Sequence, residues 1–161
     1  MYQPQPSYRT FSFSLGLGPA LLVGPNDRED LALSWNLFRL NFAVAPRVSF
    51  VVSFEGAGTS SVYAYTGEDS WLMHDVLTGG LQIRLRRAIY LRGGVGVGWG
   101  TEWTESFRSS SRAGLAVSGG LGYEFMQSAH TALALELAAN VARYSRETWG
   151  MTGLNLALSF F

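Results

Sequence analysis

The chain has 161 residues, a length that fits one domain. Charged residues make up only 15%, against roughly 25% in soluble domains, while 19 glycines and 14% aromatic residues are both high values. Its twelve basic side chains are all Arg, and they balance twelve acidic ones, so the electrostatic footprint of a nucleic-acid binder is missing. Cys is absent, which excludes a disulfide scaffold and a thiolate metal site. No run comes near the roughly 20 consecutive apolar residues of a membrane helix. Met1-Tyr2-Gln3-Pro4 has neither a basic n-region nor an apolar h-region, so export would rely on a leader already removed. Residues 1–8 read as a short tail and 9–161 as a single domain.

Taken in order, the apolar residues repeat with period two, the strand signal. Phe11, Phe13, Leu15 and Leu17 alternate with Ser and Gly until Pro19. Leu31, Leu33, Trp35 and Leu37 give way to Leu40, Phe42 and Val44, and the parity change at Leu37-Phe38 predicts a β-bulge. Val48, Phe50, Val52 and Phe54 form the third run, and Leu81, Ile83 and Leu85 the fourth. The fifth holds Ile89, Leu91, Val95, Val97 and Trp99. Three more follow: Leu115 to Phe125, Leu133 to Val141, and Leu154 to Phe160.

Short links at Ala45-Pro46-Arg47, Arg87-Ala88 and Met126 to His130 alternate with longer polar ones. The longer links are expected at Gly24 to Asp30, about Gly58 to Asp75, Thr101 to Ser111, and Arg143 to Trp149. Eight antiparallel strands with short turns at one end and long loops at the other follow the plan of an outer-membrane barrel. The predicted fold is therefore all-β, a transmembrane up-and-down antiparallel β-barrel. A closed barrel pairs every backbone polar group in lipid without leaving an edge.

The large Leu, Val, Ile and Phe residues share one face, and Gly, Ala, Ser, Asn, Arg and Glu share the other. A soluble barrel would turn the large apolar set inward, so the apolar face is expected to meet lipid. The small residues suit a lumen narrow enough for side chains to fill. Two aromatic girdles are expected at the membrane interfaces. Trp35, Trp99, Tyr144 and Trp149 lie toward the long loops, and Phe42, Phe50, Tyr123, Phe125 and Phe160 toward the short turns.

On these eight segments, their short and long connections and the terminal Phe, the chain resembles the small bacterial outer-membrane barrels of the OmpA transmembrane domain and OmpX type. The resemblance is architectural, runs from about residue 8 to the end, and rests on no specific motif. It implies location in the bacterial outer membrane and insertion by the barrel-assembly machinery. In such barrels the last Phe takes the lipid face; here Phe160 keeps the apolar register and Phe161 is an added residue.

By strand parity, Arg39, Glu55, Arg84, Arg86, Tyr90, Arg92, Glu124, Glu136 and Asn140 form the polar lumen network. Arg39 is expected diagonal to Glu55, Arg84 nearly opposite Arg92, and Glu136 shared by Arg84 and Arg92. The network reads as a side-chain plug, and alternatively as a narrow pore for ions or small solutes. Asp69, Ser70 and His74 are the residue types of an acyl-transfer site, as in lipid A-modifying barrels. The amphipathic N-terminal helix of the lipid A palmitoyltransferases is missing, and His130-Thr131-Ala132 lacks the Ser of the deacylases, so a non-enzyme is expected. His74 and His130 lie at opposite barrel ends, so neither a metal nor another cofactor is expected. Arg28, Arg108, Arg112, Arg143 and Arg146 sit at the long-loop rim as candidate contacts for the phosphates of lipopolysaccharide. The extracellular loops, above all the aromatic one from Val62 to Asp75, are expected to touch lipid, a surface or a protein ligand.

Overall fold

The computed structural model describes residues 10–24, 29–62, 69–104, 108–110, 113–144 and 147–161. Their strands are β1 (Phe11–Val23), β2 (Glu29–Ala45), β3 (Val48–Val62), β4 (Asp69–Arg84), β5 (Ile89–Thr104), β6 (Arg108–Ser110), β7 (Gly114–Gln127), β8 (Thr131–Tyr144) and β9 (Glu147–Phe160). Each long strand pairs antiparallel with its sequence neighbour, and β1 closes the ring on β9. The three-residue β6 folds back on the outer end of β5, so eight strands build the closed barrel. No helix occurs among the described residues.

The expected bulge is present, as a register break between Asn36 and Phe38 on β2. It keeps Ser34, Asn36, Arg39 and Asn41 inside and Leu33, Leu37 and Phe42 outside despite the odd spacing. Pro19 does not end β1. It pairs with Leu33 on the β2 side, and the β9 pairing skips from Leu17 to Ala20, where the missing proline N–H is not needed.

The strands are longer than their apolar alternation. β3 and β4 remain paired up to Val62 and Asp69, so the stretch expected as a loop from Gly58 to Asp75 is largely barrel wall. Likewise β5 runs to Thr104, and β6 occupies part of the third long connection. Above the lipid the outer face meets water, so the polar alternation fades while the hydrogen-bond ladder continues.

The two faces are sharply divided. Leu17, Leu31, Phe50, Leu91, Val95, Leu121, Leu137 and Leu156 are all at least 43% exposed, whereas Ser34, Glu55, His74 and Glu136 are at most 1% exposed. Such an exterior fits hydrocarbon and such an interior does not, so the barrel is a membrane-spanning one.

Candidate functional site: the two halves of the lumen

Toward the short turns the lumen holds an ionic cage. Arg39 on β2 grips Glu136 on β8 with two parallel bonds of 2.6 Å, reaching across the bore rather than to a neighbouring strand. Arg92 on β5 donates to the same Glu136 oxygen from Nη2 at 2.8 Å and from Nε at 3.2 Å. It also meets Glu55 from Nη1 at 2.7 Å and Nη2 at 2.9 Å. Tyr90 donates its hydroxyl to Glu136 at 2.6 Å. Arg39 stands 4.0 Å from Glu55, the expected diagonal. Two guanidiniums and two carboxylates cancel, and each of the four is at most 5% exposed. Gly120 makes this possible, since a Cβ there would stand 2.9 Å from Arg92 Nε.

The remaining polar positions fall elsewhere. Arg84 does not face Arg92; it pairs with Tyr90 in the ladder, and Arg92 with Gln82. Its partner is Glu124 at the inner mouth, in two bonds of 2.8 and 2.7 Å, with Gln127 on the same carboxylate. Glu136 is therefore shared by Arg39 and Arg92, not by Arg84 and Arg92. Arg86 lies outside the network, exposed in the turn, because β4 ends at Arg84 and parity stops there. Asn140 is in the lumen but bonds His74 Nε2 at 2.8 Å instead of a charged partner. Between the zones, Ser53, Thr78 and Ser118 form a hydroxyl chain at 3.0 and 2.9 Å beside a void of about 10 Å³, space for roughly one water.

Toward the long connections the lumen holds an apolar cluster. Leu22, Leu72, Val76, Tyr144, Trp149 and Met151 pack together, none more than 3% exposed. His74 joins the rings, with Tyr144 and Trp149 centroids 6.4 and 6.1 Å away and Tyr144 Oη 3.0 Å from Nδ1. Tyr144 and Trp149 are thus not girdle residues. Both have the parity opposite to the lipid-facing Leu137 and Leu154, a signal already present in the sequence. A Cβ on Gly100 would stand 2.7 Å from the Trp149 ring, so the indole occupies a slot that only glycine leaves open.

On the outside, Phe42, Phe50, Tyr123, Phe125 and Phe160 are 41 to 53% exposed at the short-turn end. Trp35 and Trp99 face outward and are partly exposed, Trp99 stacking on Phe54 at 5.7 Å. Trp71 and Trp103, paired across β4 and β5 and 55 and 37% exposed, are outward aromatics that the sequence reading missed. It also missed Asp75, a carboxylate on the lipid-facing side of β4 that is 8% exposed. Trp35 Nε1 donates to its Oδ1 at 3.1 Å, and Trp99 is its ladder partner on β5.

Ser70 and His74 lie on β4 and point inward, both fully buried. The His74 ring nitrogens meet Asn140 and Tyr144, so among the described side-chain contacts His74 is not paired with a Ser or Asp as an acyl-transfer base would be. Among the described residues no three His, Cys, Asp or Glu gather as a metal set. Of the rim arginines, Arg143 is exposed near the end of β8 and Arg108 opens β6. Arg28, Arg112 and Arg146 lie outside the described residues.

No protein-family model and no curated protein matches the chain. Solved structures do. The attachment invasion locus protein Ail of Yersinia pestis, solved with the heparin analogue sucrose octasulfate, aligns with a TM-score of 0.66 at 15% identity. The alignment covers 93% of this chain and 97% of that one. Neisserial surface protein A aligns with a TM-score of 0.72 at 10% identity, over 94% of this chain and 96% of that one. The chain has the fold of the small eight-stranded outer-membrane barrels.

Proposed function

We propose that this is a non-enzymatic barrel of the bacterial outer membrane whose lumen is closed and whose outward-facing end makes the contacts. The observation that carries the reading is the double closure of the bore. An ion entering from the long-loop side meets Leu22, Leu72, Trp149 and Met151, and one entering from the other side meets four charged groups already paired with each other. The apolar zone is what disfavours the narrow-pore alternative, because a dry constriction excludes ions without any charge of its own. Purified protein in planar bilayers should give no steady conductance. A reproducible unitary current would overturn the closed-lumen reading and restore the pore.

The ligand of the outer end is proposed to be an anionic saccharide surface, lipopolysaccharide first. Arg28, Arg108, Arg112, Arg143 and Arg146 supply guanidiniums suited to phosphate or sulfate, and the similar Ail structure contains a polysulfated sugar. Replacing Arg112, Arg143 and Arg146 together by Gln should lower co-purifying lipopolysaccharide while the barrel still folds. Unchanged retention would remove these arginines from the contact. Insertion by the barrel-assembly machinery is proposed on the final strand, which ends on the lipid-facing Phe160 with Phe161 N bonded to His130 O at 2.9 Å.

A further inference from the structure

The zero net charge conceals a polarity along the barrel axis. At the outer end acidic residues, Glu29, Asp30, Glu102 and Glu147 among those described, are interspersed with the rim arginines. At the inner end arginine prevails. Arg47 lies in the β2–β3 turn, Arg84 ends β4, and Arg86 and Arg87 lie in the β4–β5 turn. Among the described residues the acidic side chain there is Glu124, bound by Arg84 and Gln127, and Arg87 has a contact of its own, so the excess is one of charge and not of unpaired groups. Arg47, Arg86 and Arg87 are all exposed.

These three guanidiniums belong to one surface. The two turns are neighbours, joined by Arg84 N donating to Arg47 O at 2.8 Å. The second turn is fixed by Leu85 N to Ile89 O at 2.9 Å and by Arg84 Nη1 to Arg87 O at 2.8 Å. Their depth follows from the aromatic belt. Arg47 is three residues beyond the exposed Phe50. At about 3.3 Å per residue and a tilt near 40°, that places it about 8 Å past the ring. The headgroup layer extends roughly 5 to 7 Å beyond the hydrocarbon on each side. The turn backbone thus sits at the outer edge of that layer, and the long arginine side chains reach back from it to the lipid phosphates.

We infer that Arg47, Arg86 and Arg87 form a binding surface for the phosphodiester of anionic phospholipids, the phosphatidylglycerol class, in the leaflet facing the short turns. The inference rests on the reading of the barrel as membrane-spanning. A zwitterionic headgroup presents its own ammonium beside the phosphate, whereas phosphatidylglycerol offers the phosphate unopposed to a fork that binds it with two bonds. Basic residues at this depth also gain from the negative surface potential of such lipids.

The test uses the intact protein folded into phosphatidylcholine bilayers carrying trace spin-labelled phosphatidylglycerol or spin-labelled phosphatidylcholine. The motionally restricted fraction of each label gives their relative association. Phosphatidylglycerol should be preferred by about threefold or more, and the preference should collapse at about 1 M salt, where the screening length is about 3 Å. Arg47→Gln, Arg86→Gln and Arg87→Gln combined should abolish it, the corresponding Lys triple should keep most of it, and Arg143→Gln should leave it unchanged. The shift between boiled and unboiled protein on a gel reports folding, so a failed barrel is distinguished from a lost preference. Equal association of both lipids with the wild type overturns the inference. So does full preference in the folded Gln triple, or loss through Arg143→Gln instead. Should the Gln triple not fold, the salt titration of the wild type decides alone.

Discussion

In the half of the lumen nearest the short turns, Arg39 and Arg92 interlock with Glu55 and Glu136, while in the other half Leu22, Leu72, Trp149 and Met151 fill the same bore. Both halves bury their side chains and both exploit glycine on the facing wall. They differ in how they respond to damage. An apolar cluster loses stability in proportion to the volume removed. A buried ionic set depends on its completeness, because deleting one charge leaves its partner desolvated and unpaired.

The largest effect should follow from Glu136→Gln, which withdraws the carboxylate from two guanidiniums and the Tyr90 hydroxyl at once. A loss of about 3 to 5 kcal/mol is expected, read as a fall in the urea midpoint of the folded barrel in vesicles. Glu124→Gln removes a carboxylate whose partner Arg84 is 32% exposed, and should lower the midpoint far less. Equal falls would show that the cage is not the desolvated element described here.

Trp149→Ala strikes the other half and should cost about 3 kcal/mol, as a large cavity opens beneath Gly100. Its second readout separates the two closures. With the cage intact, bilayers containing this variant should stay electrically silent. A current from Trp149→Ala alone would show that the apolar zone is the seal and the cage merely fills space.

Parity made the cage residues legible from sequence, since Arg39, Glu55, Arg92 and Glu136 stand opposite to large apolar neighbours in every strand. Two of the pairings were legible as well, Arg39 with Glu55 and Arg92 with Glu136, but the grip of Arg39 on Glu136 was not. Arg39 and Glu136 lie on β2 and β8, separated by β1 and β9, and which heights meet across the bore depends on the shear of the closed sheet. In the apolar half two sequence signals conflict. Tyr144 and Trp149 satisfied an expectation of interfacial aromatics, and that expectation outweighed their position on the inward side. Asp75 escaped because the alternation fades above it, so the sequence offered a loop where β4 continues to Asp69.

A smaller effect tests the outer wall beside this boundary. Trp35→Phe keeps an aromatic ring but removes the indole donor to Asp75 together with part of its packing area, and should lower the midpoint by about 1 to 2 kcal/mol. The loss arises from an acceptor left facing lipid, so adding Asp75→Leu to that variant should restore much of it. If the double variant is as unstable as the sum of two separate losses, the bond is not the cause.

The smallest effects bring the comparison to two arginines two positions apart. Arg84 points toward the mouth of the lumen, forms two bonds with Glu124 and braces the Arg87 carbonyl. Being about one-third exposed, it is partly screened, and Arg84→Gln should cost roughly 1 kcal/mol or less. Arg86 stands past the last paired residue of β4, exposed in the turn, so Arg86→Gln should leave the urea midpoint unchanged within error. A larger loss from Arg86 than from Arg84 would mean that the turn, and not the strand end, carries the inner closure. The inner-rim role of Arg86 would then involve stability as well as lipid phosphate, and the Gln triple in the lipid test would have to be read beside its Lys counterpart.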